Sequence, residues 1–368
     1  MLDILKRYQV QDNNTIAVDA KETLLADIGN IPHVTDEMLQ RCGTVDVLDG
    51  SRSDCEWGSD PDAARPGIFS PTKGVTRIGV PYVANSNNGP WMSVPDEPIL
   101  GKARVFGEEK AELTPRARIG LTMLQDRLAG TLPGNKFDLD NAQKIFLRTR
   151  SKIGELITDD LIALCRANIA SPVDAVDLKP ACDALSGWNR TFVINARGAH
   201  LFREFRELGG VVFRIPFNPA DPVNTPRQLA TDDPNVLNAL VAAVKKLKEK
   251  NIPLDARLGD VQFTLFKDER IGQRGSANAD GVFNPIGLKP HRDGYAAAGS
   301  TSLVYFAEYS ENHVASRGMI VYSLSNNPES KHSSDMTRAY SSGHIINWRF
   351  NESEIESDPH LIRYRVSN

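Results

Sequence analysis

The chain has 368 residues, of which 40% are hydrophobic, and a formal net charge of −4 at pH 7. A chain of this length and apolar content can bury the core of one large globular domain or of two smaller ones. The small acidic charge excludes a protein-wide basic field for nucleic acid. Charged residues also interrupt every apolar run well before the length of a bilayer span. We therefore predict a globular protein with neither a nucleic-acid partner nor a membrane partner.

The four cysteines, Cys42, Cys55, Cys165 and Cys182, form two local pairs without the Cys-x-x-Cys spacing of zinc or redox sites. Two disulfides would indicate an oxidising compartment, whereas four buried thiols in a cytosolic protein fit the composition nearly as well. The first residues carry neither an extended apolar segment nor a small-residue cleavage site, so they do not predict a signal peptide. If the protein is secreted, this predicts that the chain is incomplete at its start.

The first part of the chain predicts strands and a long loop. Residues 14–29 alternate apolar and polar side chains around Lys21 and Glu22, which predicts two strands joined by a tight turn. Residues 30–79 are rich in Pro, Gly, Asp and Ser and predict a long irregular excursion. Loops of that length usually need a functional or covalent reason, and a Cys42–Cys55 bridge would supply one.

An asparagine-rich corner follows at residues 80–91. A short strand-like run at 80–83 leads into Asn85, Asn87 and Asn88, and Gly89 and Pro90 then predict a turn. A carboxamide N–H aimed into a cleft can stabilise a developing oxyanion. Turn chemistry alone also accounts for such a cluster. On the residues alone, both interpretations stay open.

Helical periodicity begins near residue 115 and gives way to strand periodicity after 257. The apolar stripes that predict four helices are Ile157, Leu161, Leu164 and Cys165; Cys182 and Leu185; Leu201, Phe202, Phe205 and Leu208; and Leu237, Leu240, Val241, Val244 and Leu247. The predicted later strands are centred on Val261, Phe263 and Leu265; on Leu303, Tyr305 and Ala307; on 319–324; and on 345–348.

The order of strands, long loop, helices and strands indicates the α+β class. We divide the chain into 1–114 with the strands and the long loop, 115–250 as a mainly helical region, and 251–368 as a β-rich part. The seven histidines lack metal-site spacing, and the sequence has no Gly-x-Ser-x-Gly, Walker or dinucleotide motif. Local motifs therefore leave the activity open.

Several segments taken together carry more information than any one of them. They are LDGSRSDCEW (48–57), PGIF (66–69), YVANSNN (82–88), RARI (116–119), LSGWN (185–189), RGAHLF (197–202), GSTS (299–302) and SLSNNP (323–328). Their order resembles the penicillin acylase family of N-terminal nucleophile hydrolases, and within it the acyl-homoserine-lactone and aculeacin acylase branch. The resemblance covers nearly the whole chain.

The resemblance implies a fold and a reaction. The fold is an αββα sandwich, here with an inserted helical region, made from a precursor that is cut into a small α and a large β subunit. The nucleophile is the serine at the new N-terminus of the β subunit, and its own α-amino group is the general base. No cofactor is implied for catalysis. The implied substrates are acylated small molecules (N-acyl-homoserine lactones, acylated lipopeptides or β-lactams), and the implied location is periplasmic or secreted.

Two site residues follow from the resemblance. Asn87 matches the oxyanion-hole asparagine, and Arg118 matches the arginine near the nucleophile, with Arg116 as the alternative if the register shifts. A guanidinium close to the α-amine would help keep that amine neutral, whereas a surface arginine at a helix start is the alternative interpretation of Arg118. The calcium site of the family is only partly represented, and Asp96 or Glu97 near its expected place does not suffice to predict calcium.

The chain also departs from the family pattern. Its Gly-Ser pairs lie at the wrong places for the processing junction, and Gly89-Pro90-Trp91 follow the asparagines where the family has an Asp-Ser-Tyr-Trp type sequence. We therefore expect the C-terminal part of a β subunit, inactive by itself. Its partners would be the α subunit and the N-terminal part of the β subunit from the same precursor. The alternative is a truncated, non-catalytic binding or interaction protein.

Overall fold

The computed structural model describes residues 1–10, 14–44, 47–131, 136–170, 173, 176–310 and 313–366. The chain forms two compact units, Met1–Leu113 and Thr114–Asn368. Helices and sheets are mixed along the chain, as the α+β class requires. Within the described ranges, no helix combines the length and the apolar character needed to cross a membrane. The division into 1–114, 115–250 and 251–368 stays a prediction.

The first unit is built around a three-stranded antiparallel sheet in the order β1-β2-β3. Its elements are α1 (Leu2–Tyr8), β1 (Thr15–Val18), β2 (Thr23–Asp27), α2 (Asp36–Cys42) and β3 (Val75–Ile78). The Asp19 carboxylate accepts hydrogen bonds from the backbone N–H groups of Lys21 and Glu22 at 2.8 and 2.9 Å, which closes the turn between β1 and β2. The predicted hairpin is thus confirmed.

Two predictions for the first unit are wrong in detail. The strand expected at 80–83 lies earlier, at β3, because Gly79 turns the chain with a φ of 70° and Pro81 has no N–H to donate to a strand ladder. The predicted irregular excursion contains the helix α2, which begins after Thr35. The Thr35 hydroxyl caps that helix by accepting a hydrogen bond from the Met38 N–H at 3.3 Å.

Both cysteine pairs form disulfides, which decides between the two alternatives that the sequence left open. Cys42–Cys55 joins the end of α2 to the loop that follows it, and Cys165–Cys182 closes a second local loop. All four cysteines are buried. The bridge between Cys42 and Cys55 therefore pins the loop of the first unit at its base, as predicted.

In its described residues, the second unit contains the remaining helices and three further sheets, in the orders β4-β5, β7-β6-β9-β8 and β10-β11-β12. Its helices are α3 (Pro115–Leu128), α4 (Leu139–Leu147), α5 (Lys152–Ala167), α6 (Lys179–Gly187), α7 (Ala199–Glu207), α8 (Pro234–Glu249), α9 (Leu258–Val261), α10 (Asp335–Ser342) and α11 (Glu352–Glu356). Its strands are β4 (Phe213–Ile215), β5 (Arg227–Leu229), β6 (Gln262–Phe266), β7 (Glu269–Gly272), β8 (Ile286–His291), β9 (Gly294–Ser300), β10 (Leu303–Ser310), β11 (His313–Ile320) and β12 (Ile346–Trp348).

The apolar stripes of α5, α6, α7 and α8 meet in the main core of the second unit, which confirms the four predicted helices. Two strand predictions need correction. Val261 ends the short helix α9, and β6 begins one residue later. The strand expected at 319–324 ends at Ile320, because the chain turns away and Ser323 has a left-handed φ of 69°. Leu208 follows the end of α7 and is 41% exposed, so it lies outside the core.

His200 is the buried histidine of the helical core. It lies on α7 without solvent exposure, and its Nε2 is 2.8 Å from the Pro253 carbonyl oxygen, so this nitrogen carries the proton and donates. Burial lowers the pKa of His200 to about 4, although the hydrogen bond to Pro253 acts in the opposite direction. The folded protein therefore holds His200 neutral over the pH range in which an exposed histidine becomes charged.

We expect the free energy of unfolding to fall by about 2 kcal/mol between pH 7 and pH 5 through His200 alone. The unfolded chain binds a proton there below about pH 6.5, whereas the folded chain does so only near pH 4. The contribution of His200 to the free energy of unfolding is complete above the pKa that His200 has in the unfolded chain. It is lost as the pH falls towards the pKa that His200 has in the folded chain. Urea unfolding at both pH values measures it, with His200→Gln as the control that keeps a donor for Pro253. An equal pH dependence in the two proteins would contradict the assignment.

Candidate active site

The asparagine corner, defined as residues 85–88, turns the backbone through an unusual conformation. Asn87 has a φ of 62°, in the left-handed region that asparagine tolerates better than most residues. Asn87 is also the exposed member of the corner, whereas Asn85 and Asn88 are half-buried and Ser86 is buried. The backbone thus places the side chain of Asn87 at the surface of the turn.

The other two asparagines bond to the backbone of the corner. The Asn85 side chain accepts a hydrogen bond from the Asn87 N–H and donates one to the Asn88 carbonyl, both at 2.9 Å. The Asn88 side chain accepts from the Ser86 N–H at 2.9 Å and donates to the Gly89 carbonyl at 2.8 Å. The carboxamides of Asn85 and Asn88 are therefore engaged in holding the turn.

Glycine and proline after the corner fix it to the core of the first unit. A Cβ on Gly89 would lie 2.9 Å from the Gly107 Cα, and a Cβ on Gly107 would lie 2.6 Å from the Gly89 Cα, so only glycine fits on either side of this contact. Pro90 then begins a short 3-10 helix that buries Trp91. The Gly-Pro-Trp departure from the family pattern is thus an anchor for the corner.

Such a corner can support electrostatic catalysis. A carboxamide has two N–H donors, and a donor stabilises an oxyanion best when it is already held in place before the charge develops. Asn87 combines an exposed side chain with a backbone that is hydrogen-bonded from within the turn. The role of Asn87 in an oxyanion hole stays a prediction, and the corner provides the rigid support that this role needs.

Arg118 belongs to the other unit and is fully buried on α3. Its Nε donates a hydrogen bond to the Val223 carbonyl, and its Nη2 donates one to the Pro226 carbonyl, each at 2.9 Å. The alternative of a surface arginine at a helix start therefore does not fit the structure. Arg116, the other candidate, is half-buried on the same helix. Asn87 and Arg118 lie in separate units, and each is positioned within its own unit.

Lys152 is a perturbed titratable residue that the sequence analysis did not single out. It is 5% exposed, and its Nζ donates to the Thr122 hydroxyl at 2.8 Å, which in turn donates to the Arg118 carbonyl at 2.8 Å. Burial, and then the charge of Arg118, lower the pKa of Lys152 to about 8. A lysine at a helix start normally faces solvent, so no local pattern in the sequence could reveal its burial.

The structure adds no support for calcium at the position considered in the sequence. Asp96 and Glu97 are exposed. Among the residues that the structure describes, no three histidine, cysteine, aspartate or glutamate side chains are grouped to hold a metal ion.

A sequence model of the penicillin amidase family matches residues 1–357, and the chain belongs to that family. The chain is 36% identical to aculeacin-A acylase of Actinoplanes utahensis over 96% of its own length and 47% of that protein. It is 31% identical to the acyl-homoserine lactone acylase PvdQ of Pseudomonas syringae pv. tomato over 94% of its own length and 46% of that protein. The chain thus spans about half the length of the curated relatives it matches.

The buried hydrogen bonds of Arg118 can be tested by their effect on stability, with Arg116, two residues earlier, as the matched control. We expect Arg118→Met to lower the free energy of unfolding of the second unit by about 2–4 kcal/mol, because two buried carbonyls lose a charged donor. Arg116→Met, at a half-buried position of the same helix, should cost less than about 1 kcal/mol. Urea unfolding followed by far-ultraviolet circular dichroism measures both. Equal losses in the two variants would show that the two hydrogen bonds from Arg118 do not stabilise the unit.

Proposed function

We propose that this chain is the C-terminal β-subunit portion of an acylase that hydrolyses the amide bond of N-acylated small molecules. The observation that carries the proposal is the exposed Asn87 in a hydrogen-bonded corner, within a chain that matches the penicillin amidase family over residues 1–357. The names of the relatives, aculeacin-A acylase and acyl-homoserine lactone acylase, support acylated lipopeptides and N-acyl-homoserine lactones as substrates, with acylated β-lactams as a third class.

In the proposed reaction, the N-terminal serine of the β subunit attacks the amide carbonyl while its own α-amine accepts the proton. That serine comes from outside these 368 residues, so the chain alone does not complete the catalytic site. The Asn87 amide donates to the oxyanion of the tetrahedral intermediate, which is worth on the order of 3 kcal/mol in comparable sites. The amine then leaves, and water releases the carboxylic acid from the acyl-enzyme.

Arg118 is the second proposed site residue. A guanidinium near the catalytic α-amine lowers the pKa of that amine and so keeps it able to accept a proton. The two carbonyls that receive hydrogen bonds from Arg118 hold its guanidinium rigidly in the second unit. Arg118 therefore has the fixed geometry that an electrostatic role of this kind needs.

The proposed assembly is an αββα sandwich in which the regions 1–114 and 251–368 contribute core strands and 115–250 is a helical insertion. Its partners are the α subunit and the N-terminal part of the β subunit from the same precursor. The two disulfides support a periplasmic or secreted location. In that compartment the activity would act on acylated signals, as in quorum quenching, or on acylated antibiotics.

The experiment that tests the proposal replaces Asn87 by glycine in the mature acylase produced from a precursor that contains these 368 residues. Glycine keeps the left-handed backbone and removes the amide, so we expect kcat/KM for an N-acyl-homoserine lactone or an acylated lipopeptide to fall by about 10²–10³. The matched control is Asn251→Gly, since Asn251 is also exposed and has a φ of 54°. A folded, processed Asn87→Gly enzyme with the activity of the control would refute the proposal.

A further inference from the structure

We propose that Asn85 and Asn88 are positioning residues that hold Asn87 in its left-handed conformation and so aim its amide at the oxyanion. This inference rests on the proposed function of Asn87. It assigns a task to two side chains whose carboxamides bond to the backbone of the corner, and it explains why three asparagines occur within four residues.

The Asn85 side chain fixes the corner from its N-terminal side. Its oxygen accepts a hydrogen bond from the Asn87 N–H, and its nitrogen donates one to the Asn88 carbonyl, both at 2.9 Å. These two backbone groups lie on opposite sides of the Asn87 Cα. A single carboxamide therefore restrains the chain both before and after Asn87.

The Asn88 side chain makes the complementary connection from the other end. Its oxygen reaches back over Asn87 to the N–H of Ser86 at 2.9 Å, and its nitrogen donates to the Gly89 carbonyl at 2.8 Å. Together the two side chains place four hydrogen bonds within five consecutive residues. Each uses both its acceptor and its donor, which an aspartate or a serine could not do in the same way.

The corner is also attached to other residues of the first unit. The contact between Gly89 and Gly107 leaves no room for a side chain on either residue, and the Ala84 N–H donates to the Ser93 carbonyl at 2.9 Å. Movement of the Asn87 backbone therefore requires the hydrogen bonds of Asn85 or Asn88 to break. Since a misplacement of about 1 Å in an active site can lower a rate by about 10²-fold, loss of either side chain should reduce catalysis.

The test uses Asn85→Ala and Asn88→Ala in the same mature acylase, because alanine removes the hydrogen bonds without adding charge. We expect kcat to fall by about 10- to 100-fold while KM changes less than about twofold, as is typical when only transition-state stabilisation is lost. Asn218→Ala is the matched control, since Asn218 accepts a backbone hydrogen bond in an exposed turn of the second unit. Unchanged kcat in both alanine variants would overturn the inference.

A double-mutant cycle separates positioning from general destabilisation. If Asn85 acts through Asn87, Asn85→Ala should lower kcat no further in an Asn87→Gly background. Equal losses of kcat in the two backgrounds would overturn the positioning role. If the alanine variants do not fold, Asn85→Ser keeps an acceptor for the Asn87 N–H. It should then lose several-fold in kcat, and full activity would count against the inference.

The outcomes also separate this inference from the proposed function. A fully active Asn87→Gly enzyme would refute both. A large loss in Asn87→Gly together with full activity in Asn85→Ala and Asn88→Ala would leave the oxyanion role of Asn87 standing and remove only the positioning role.

Discussion

The left-handed backbone at Asn87 is the constraint on which the candidate site depends. For an L-residue this conformation costs about 1–2 kcal/mol, and asparagine reduces but does not abolish that cost. Each side chain–backbone hydrogen bond contributes about 1 kcal/mol net, so the four bonds of Asn85 and Asn88 outweigh the strain. The close backbone contact between Gly89 and Gly107 further restricts the movement of the corner. The backbone that carries the exposed Asn87 side chain is thereby fixed by local hydrogen bonds before any substrate binds.

In the second unit, backbone groups likewise fix a polar side chain, here the buried and charged Arg118. Arg118 is buried on α3, and two nitrogens of its guanidinium donate hydrogen bonds to backbone carbonyls. Helices α5, α6, α7 and α8 of the same unit share one core, and a disulfide joins α5 to α6. Lys152 lies in the same neighbourhood with a pKa lowered by burial. Rigid support of polar groups away from water is what electrostatic stabilisation of a transition state requires.

The sequence allowed prediction of those features that local periodicity and side-chain chemistry determine. The hairpin of β1 and β2 was predictable from the alternation of its residues, and the helix α8 from its apolar stripe. The strand expected at 80–83 was wrong, since Gly79 and Pro81 override its β-type residues. Which asparagine of the corner is exposed depends on the left-handed backbone at Asn87, which no local pattern specifies, so only the family resemblance could single out Asn87. The burial of Lys152 depends on the packing of distant segments, and no local pattern encodes it.

The most direct measurement is a crystal structure of the mature acylase that contains this chain, with a boronic acid analogue of its acyl group bound to the catalytic serine. The tetrahedral boronate oxygen stands in for the oxyanion. An oxyanion role for Asn87 requires its Nδ2 atom within about 3 Å of that oxygen, while Asn85 and Asn88 keep their backbone hydrogen bonds. A boronate oxygen bound by other donors, with the Asn87 side chain turned away from it, would contradict this role.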